Sequence, residues 1–431
     1  MYFLVMRKKN LILIGILTFI QLEIFAEPIV VKGEMIKELC GKPISSIRLC
    51  NINYEPVPFQ IDEITANGNY ICPQGEEPNS DSSNGTLDYL DEIVFLSEDC
   101  TSKINDSTIA EKNGYTYFPI KIIQDQIIRF VFASCDPDVK LSGKRYIEYD
   151  HEKQFVKTPY YYAQFGINRF HFTKAGIFDK EKENYFNLTN QLSVTIYLRA
   201  LWGLIPVHYD EDNLICIVKK YKTGPVRLIR GGNFHLNLGL GIKGSHAYVN
   251  QICYPQIVKV PVNVHVPIRF RNFFSKAYIE MCPVIKMNEK FSFAIPEANF
   301  SEKIQNGDKI DTLIPVNPNN EYMTVSNGKI GYGWILSAKI NNNYIKESGF
   351  VFRRPSARNS QSIDCGYRMM IKDLPKGTYE INNWVLFSRE LNQNLLNMSR
   401  IVKNPSVIIT SCGSSVNSLV LNPIKTISDK K

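Results

Sequence analysis

IVKVPVNVHVPIRF, residues 257–270, decides how the chain reads. Val and Ile dominate it, Pro261 and Pro267 interrupt it, Pro255 precedes it, and it has no helical periodicity. Proline inside a helix removes a hydrogen bond and clashes with the preceding turn, whereas β-branched residues suit a strand. The stretch is therefore a strand, and that settles the motif just upstream. GLGIKG, residues 239–244, matches the G-x-G-x-x-G pattern of dinucleotide sites. Such a site needs a helix directly after the glycines and an acid about 20 residues on. No helix can follow here, and the first acid after Gly244 is Glu280. A phosphate loop would also need a G-K-S/T ending, which is absent. No nucleotide cofactor is expected; the glycines read as a strand end or bulge.

The same grammar runs along the chain. YTYFPIKII, IIRFVFAS, LSVTIYL, LICIVKKY, FHLNLGL, YGWILSAKI and TYEINNWVLFS are short strand-like runs separated by Gly, Pro, Asn and Asp. This spacing predicts an all-β, multi-domain protein with few helices, built as an antiparallel β-sandwich or supersandwich. The expected divisions are a signal peptide over 1–26, an acidic β domain over 27–142, a basic central sandwich over 143–300, and a C-terminal β region over 301–431 that stands alone or completes the central sandwich.

Residues 1–26 carry Arg7, Lys8 and Lys9 ahead of an apolar run ending at Ala26. Those are the n- and h-regions of a secretory signal. The run is short and broken by Gln21 and Glu23, and no integral membrane segment is expected after cleavage. The expected location is the periplasm, the cell surface or the exterior. All ten cysteines follow the signal, an even number that favours disulfides in an exported chain. Proximity suggests the pairs Cys40–Cys50, Cys72–Cys100 and Cys365–Cys412.

Charge divides along the chain. Residues 27–112 hold 16 acids against 6 bases, while 213–279 hold no acid at all. Lys219, Lys220, Arg227, Arg230 and Lys243 belong to that basic stretch and are candidate ligand-binding residues. They make a face for an anionic polysaccharide, or they pair with the acidic front. Nucleic acid is not the expected partner of an exported protein; an acidic glycan or an envelope protein is.

SDSSNGTLDYLDEIVFL, residues 80–96, is a candidate calcium loop. With Gly85 at the turn position, Ser80, Ser82, Asn84, Thr86, Asp88 and Asp91 fall at the oxygen-ligand positions of an EF-hand-type ring. The alternative is a polar loop leading into the strand EIVFL.

Taken together, PVPFQIDE (56–63) and NGTLDYLDEIVFL (84–96) resemble the front of a group of exported, largely uncharacterised bacterial β-proteins. TGPVRLIRGG (223–232) is similar to a G-P-V-R strand of the same group. Some of that group look related to polysaccharide-lyase and mutarotase-like supersandwich proteins. The resemblance implies a fold and carries over no catalytic residue.

A lyase acting on uronic acids needs a cation against the carboxylate and a base near the α-proton. Arg227, Arg230, Lys243, His246 and Tyr248 supply those residue types, provided that one face gathers them. PYYYAQFGINRFHF, residues 159–172, sets Tyr160, Tyr161, Tyr162, Phe165, Phe170 and Phe172 near Arg169 and His171, rings on which a sugar can stack. Tyr160 and Tyr162 are the candidates, and half of these side chains are expected in a core. HYDEDN, residues 208–213, is a metal patch or, more simply, a turn. Three readings follow: a non-catalytic exported protein that binds an anionic glycan or a protein, a lyase-like carbohydrate-active enzyme, and a structural subunit of a surface assembly.

Overall fold

The computed structural model describes residues 26–101, 110–112, 114–124, 127–169, 171–200, 203–237, 243–266, 269–272, 274–286, 290–304, 311–317, 321–353, 362–389 and 407–410. The signal segment up to residue 25, most of GLGIKG, and Cys412 lie outside them. The described residues form antiparallel strands and short 3-10 turns, with no α-helix among them. None of their helices is long and apolar enough to cross a membrane.

Two ten-stranded sheets make the body of the molecule. One is centred on the long strands Asn184–Ala200 and Phe274–Lys286, which pair along most of their length. The other runs through Gly331–Ala338, Gly377–Ser388, Ile257–Val266, Lys243–Cys253, Leu228–Asn237 and Leu214–Thr223. Each sheet takes strands from both sides of residue 300. The sheets pack face to face: Tyr161 of the first stacks on Phe387 of the second at 4.3 Å, and Phe352 meets Phe293 edge-on at 5.3 Å. Period-two burial gives each strand its inner row, as in Tyr161–Phe165 and Phe291–Ile295, where every second residue is buried. Pro261 is tolerated because it lies beyond the last described pairs with the Lys243–Cys253 strand, Ile252 with Lys259 and Cys253 with Val258.

The acidic front folds as a smaller body with its own core of Ile29, Val31, Ile61, Ile93, Phe95, Ile120 and Val131. A three-stranded sheet (Pro28–Lys32, Glu92–Leu96, Phe59–Asp62) and a five-stranded sheet including Tyr115–Gln124 and Ile127–Ser134 form it. The strand Val407–Thr410 returns to pair with Tyr115–Gln124. From the front, Gln74–Gly75 joins the edge of the second large sheet beside Lys220 and Tyr221.

The expected pairs Cys40–Cys50 and Cys72–Cys100 are corrected. No disulfide joins the nine described cysteines. The Cys40 thiol donates to the Gly33 carbonyl and the Cys100 thiol to the Leu96 carbonyl. Cys72 and Cys365 sit in the main apolar core, Cys365 against the sulfur of Met323 at 3.5 Å. The described cysteines thus contribute packing and thiol hydrogen bonds, and the expected pair Cys365–Cys412 lies partly outside the described residues.

Candidate functional site

The three motifs that carry the family resemblance meet at one place, where the acidic front sits on the sandwich. Arg227, from GPVR, is about 1% exposed. Its Nε donates to Asp62 at 2.7 Å, one Nη to Glu92 at 2.6 Å, and the other to the Tyr254 hydroxyl at 2.9 Å. Asp62 comes from FQIDE and Glu92 from DEIVFL. Gln60 completes the set: its amide nitrogen donates to Asp62, and its oxygen accepts the backbone N–H of Arg227 at 3.0 Å. Lys222 reaches Asp62 at 3.0 Å and the Ile61 carbonyl at 2.6 Å. Gly224 is glycine because a methyl group there would overlap the Gln60 side-chain amide. Burial alone would push the Asp62 carboxyl upward, but Arg227, Lys222 and the Gln60 hydrogen bond outweigh it and hold it below the usual range.

The basic candidates differ in their partners. Lys219 bridges to Glu76 at 3.0 Å and to Glu77 at 3.2 Å. Lys220 lies over the Tyr248 ring at 5.2 Å. Arg230, also about 1% exposed, stacks on Phe165 at 3.7 Å and donates to Tyr149, Gln154 and Gln251, all neutral. Arg227 and Arg230, expected as ligand-binding cations, are thus interior residues whose guanidinium groups are held by protein side chains.

Register also divides the lyase set. Arg230 lies opposite Gln251, whereas Tyr248 lies opposite Asn233 and position 246 opposite His235. Opposed residues share a face and neighbours alternate, so positions 246 and 248 occupy one face and Arg230 the other. The backbone at Lys243 pairs with Asn237 beyond a register shift. The Tyr248 hydroxyl is buried without a protein partner. Tyr160, 7% exposed, donates to Glu98 and lies under Arg389, while Tyr162 packs between Phe155 and Tyr185.

In the calcium loop, Ser80–Ser82 is a 3-10 turn, and three of the candidate ligands accept N–H donors. Asp91 accepts from Ile64 and Asp88, Asp88 from Leu90, and Asn84 from Thr86. The Glu63 carboxylate caps the backbone of Asn84 and Gly85. Among the described residues no three His, Cys, Asp or Glu side chains gather as a metal site. HYDEDN is a capped turn: Asp210 accepts from Asp212, and Glu211 accepts from Gln191 and Val194.

A cavity of about 70 Å³ opens between the two large sheets. Phe165, His171 and Phe172 of the aromatic stretch line it from one side; Val260, Trp334, Asn383 and Val385 line it from the other. The stretch 159–172 was legible as aromatic, but alternation turns Phe165 inward to this cavity. Trp334 and Asn383, far along the chain, gave no comparable signal.

No protein-family model matches the sequence, and no curated protein does. Among solved structures, the chain is similar to an α-mannosidase from Enterococcus faecalis V583 (TM-score 0.45, 8% identity, 90% of this chain and 44% of that one). A glycosyl hydrolase family 38 protein from Enterococcus faecalis compares likewise (TM-score 0.44, 7% identity, 91% and 46%). The Slr1438 protein from Synechocystis sp. PCC 6803 gives TM-score 0.34 and 9% identity over 57% of this chain and 95% of that one. The chain spans less than half the length of the first two.

Proposed function

We propose that this chain is a non-catalytic binding protein, exported from the cytoplasm, whose partner is another protein. The observation that carries the reading is the hairpin formed by Asn184–Ala200 and Ile205–Asp210. Its turn exposes Leu204 at 79% and Ile205 at 47%. The Ile205–Asp210 strand pairs with Thr195–Ala200 on one edge and with no strand on the other among the described residues. An exposed strand edge bordered by apolar side chains is a template for a second chain. Two observations weigh against the alternatives. The lyase set is divided between two faces, and several of the basic residues that suggested an anionic glycan are neutralised by the acidic front. The n- and h-regions of the first 26 residues support export.

A photo-crosslinking amino acid at Leu204, in cells producing the protein, tests the reading. A discrete adduct with one protein is expected, absent when the crosslinker replaces the exposed Lys140. Equal labelling from both positions, or none from Leu204, contradicts it.

A further inference from the structure

We propose that Lys259 is a covalent attachment site for an apolar aldehyde, which its amine captures as an imine. The site is separate from the hairpin edge and does not depend on the partner proposed for it.

The register places the side chain. Lys259 lies opposite Ile252 on one neighbouring strand and opposite Trp384 on the other. Opposed residues share a face, so the lysine stands between an aliphatic side chain and an indole. Two residues beyond Ile252 the chain reaches Tyr254, whose hydroxyl accepts from Arg227, which in turn holds Glu92 of the acidic front. Lys259 is half-buried at the border of that ion-pair cluster.

No carboxylate there is left to neutralise it. Three charged groups act on the amine: Glu92 and Arg227 from the cluster, and Glu380 from its own sheet. Glu92 already accepts from Arg227 at 2.6 Å and from the Tyr70 hydroxyl at 3.0 Å. Glu380 already accepts from Lys339 and from Asn382. Lys259 makes no ion pair among the described residues, whereas Lys219 holds Glu76, Lys222 holds Asp62 and Lys153 holds Asp150. A half-buried ammonium without a counter-ion, beside a fixed guanidinium, gives way to the neutral amine. Burial, the largest effect, lowers its proton affinity accordingly.

The neutral amine is the nucleophile that a carbonyl compound needs. Its lone pair attacks the carbonyl carbon, a C=N bond replaces C=O, and the carbonyl oxygen leaves as water with the two amine hydrogens. The imine is uncharged, so it suits a position that offers a cation no partner. Ile252 and Trp384 give the body of the aldehyde apolar contact.

Treatment of the full chain with benzaldehyde, reduction with borohydride and mass mapping of the peptides test the assignment. At pH 7.5, Lys259 is expected to carry at least about fivefold more benzyl adduct than the exposed Lys140. The ratio should fall to about one or below near pH 10.5, where ordinary lysines lose their proton too. Glyceraldehyde, whose hydroxyls gain nothing beside Ile252 and Trp384, should give a ratio at least about twofold smaller at pH 7.5. Labelling of Lys259 no greater than that of Lys140 at pH 7.5 overturns the proposal, as does a ratio that does not change with pH. An equal ratio for the two aldehydes overturns the apolar preference.

Discussion

Asp62 and Arg227 show what the individual residues contribute. The Asp62 carboxyl titrates below its usual value, so its charge stabilises the fold above the unfolded value near 3.9, and that stability is lost as pH falls through the lower folded value. Asp91 has the opposite sign: burial, the largest effect, lifts its carboxyl despite two backbone hydrogen bonds. Asp62→Asn should therefore lower stability at pH 7 by about 3 kcal/mol and flatten the acid limb of a melting-temperature profile. Unchanged melting at both pH 7 and pH 3 contradicts that. Gly224→Ala, which forces Gln60 out of its place, should also destabilise, by about 1–3 kcal/mol in urea unfolding. Thiol titration of denatured protein should find nine reactive cysteines at the described positions, and a count near zero would contradict this packing.

Elements were legible where period and breakers agreed. IVKVPVNVHVPIRF contains the strand Ile257–Val266, and the runs YTYFPIKII and TYEINNWVLFS lie within Tyr115–Gln124 and Gly377–Ser388. The candidate sites were less legible, because a single strand's alternation does not say which sheet will cover which face. Arg227, Arg230 and Tyr248 looked like one cluster along the sequence, yet pairing sends Arg230 and Tyr248 to opposite faces. The calcium loop matched a ligand spacing, but the spacing could not show that Glu63, from a different motif, would occupy the turn's N–H groups. We expect calcium and chelator to give the same melting temperature. A rise of several degrees in millimolar calcium would show that the loop oxygens exchange their N–H donors for an ion.

For the molecule as a whole, the sequence's uneven charge acquires a physical meaning. An acidic front and a basic middle meet along a shared boundary, where Lys219, Lys222 and Arg227 face Glu76, Asp62 and Glu92. The resemblance motifs are then the parts of a clamp that fixes the small body on the sandwich. Incubation with acidic polysaccharides should accordingly yield no unsaturated product by ultraviolet absorbance. New absorbance would restore the lyase reading. The most direct measurement of the clamp is a double-mutant cycle in urea with Asp62→Asn, Arg227→Met and the pair. If the two residues hold the bodies together as described, the coupling between them is at least about 1.5 kcal/mol. Additivity within about 0.5 kcal/mol would mean that the ion pair is no clamp.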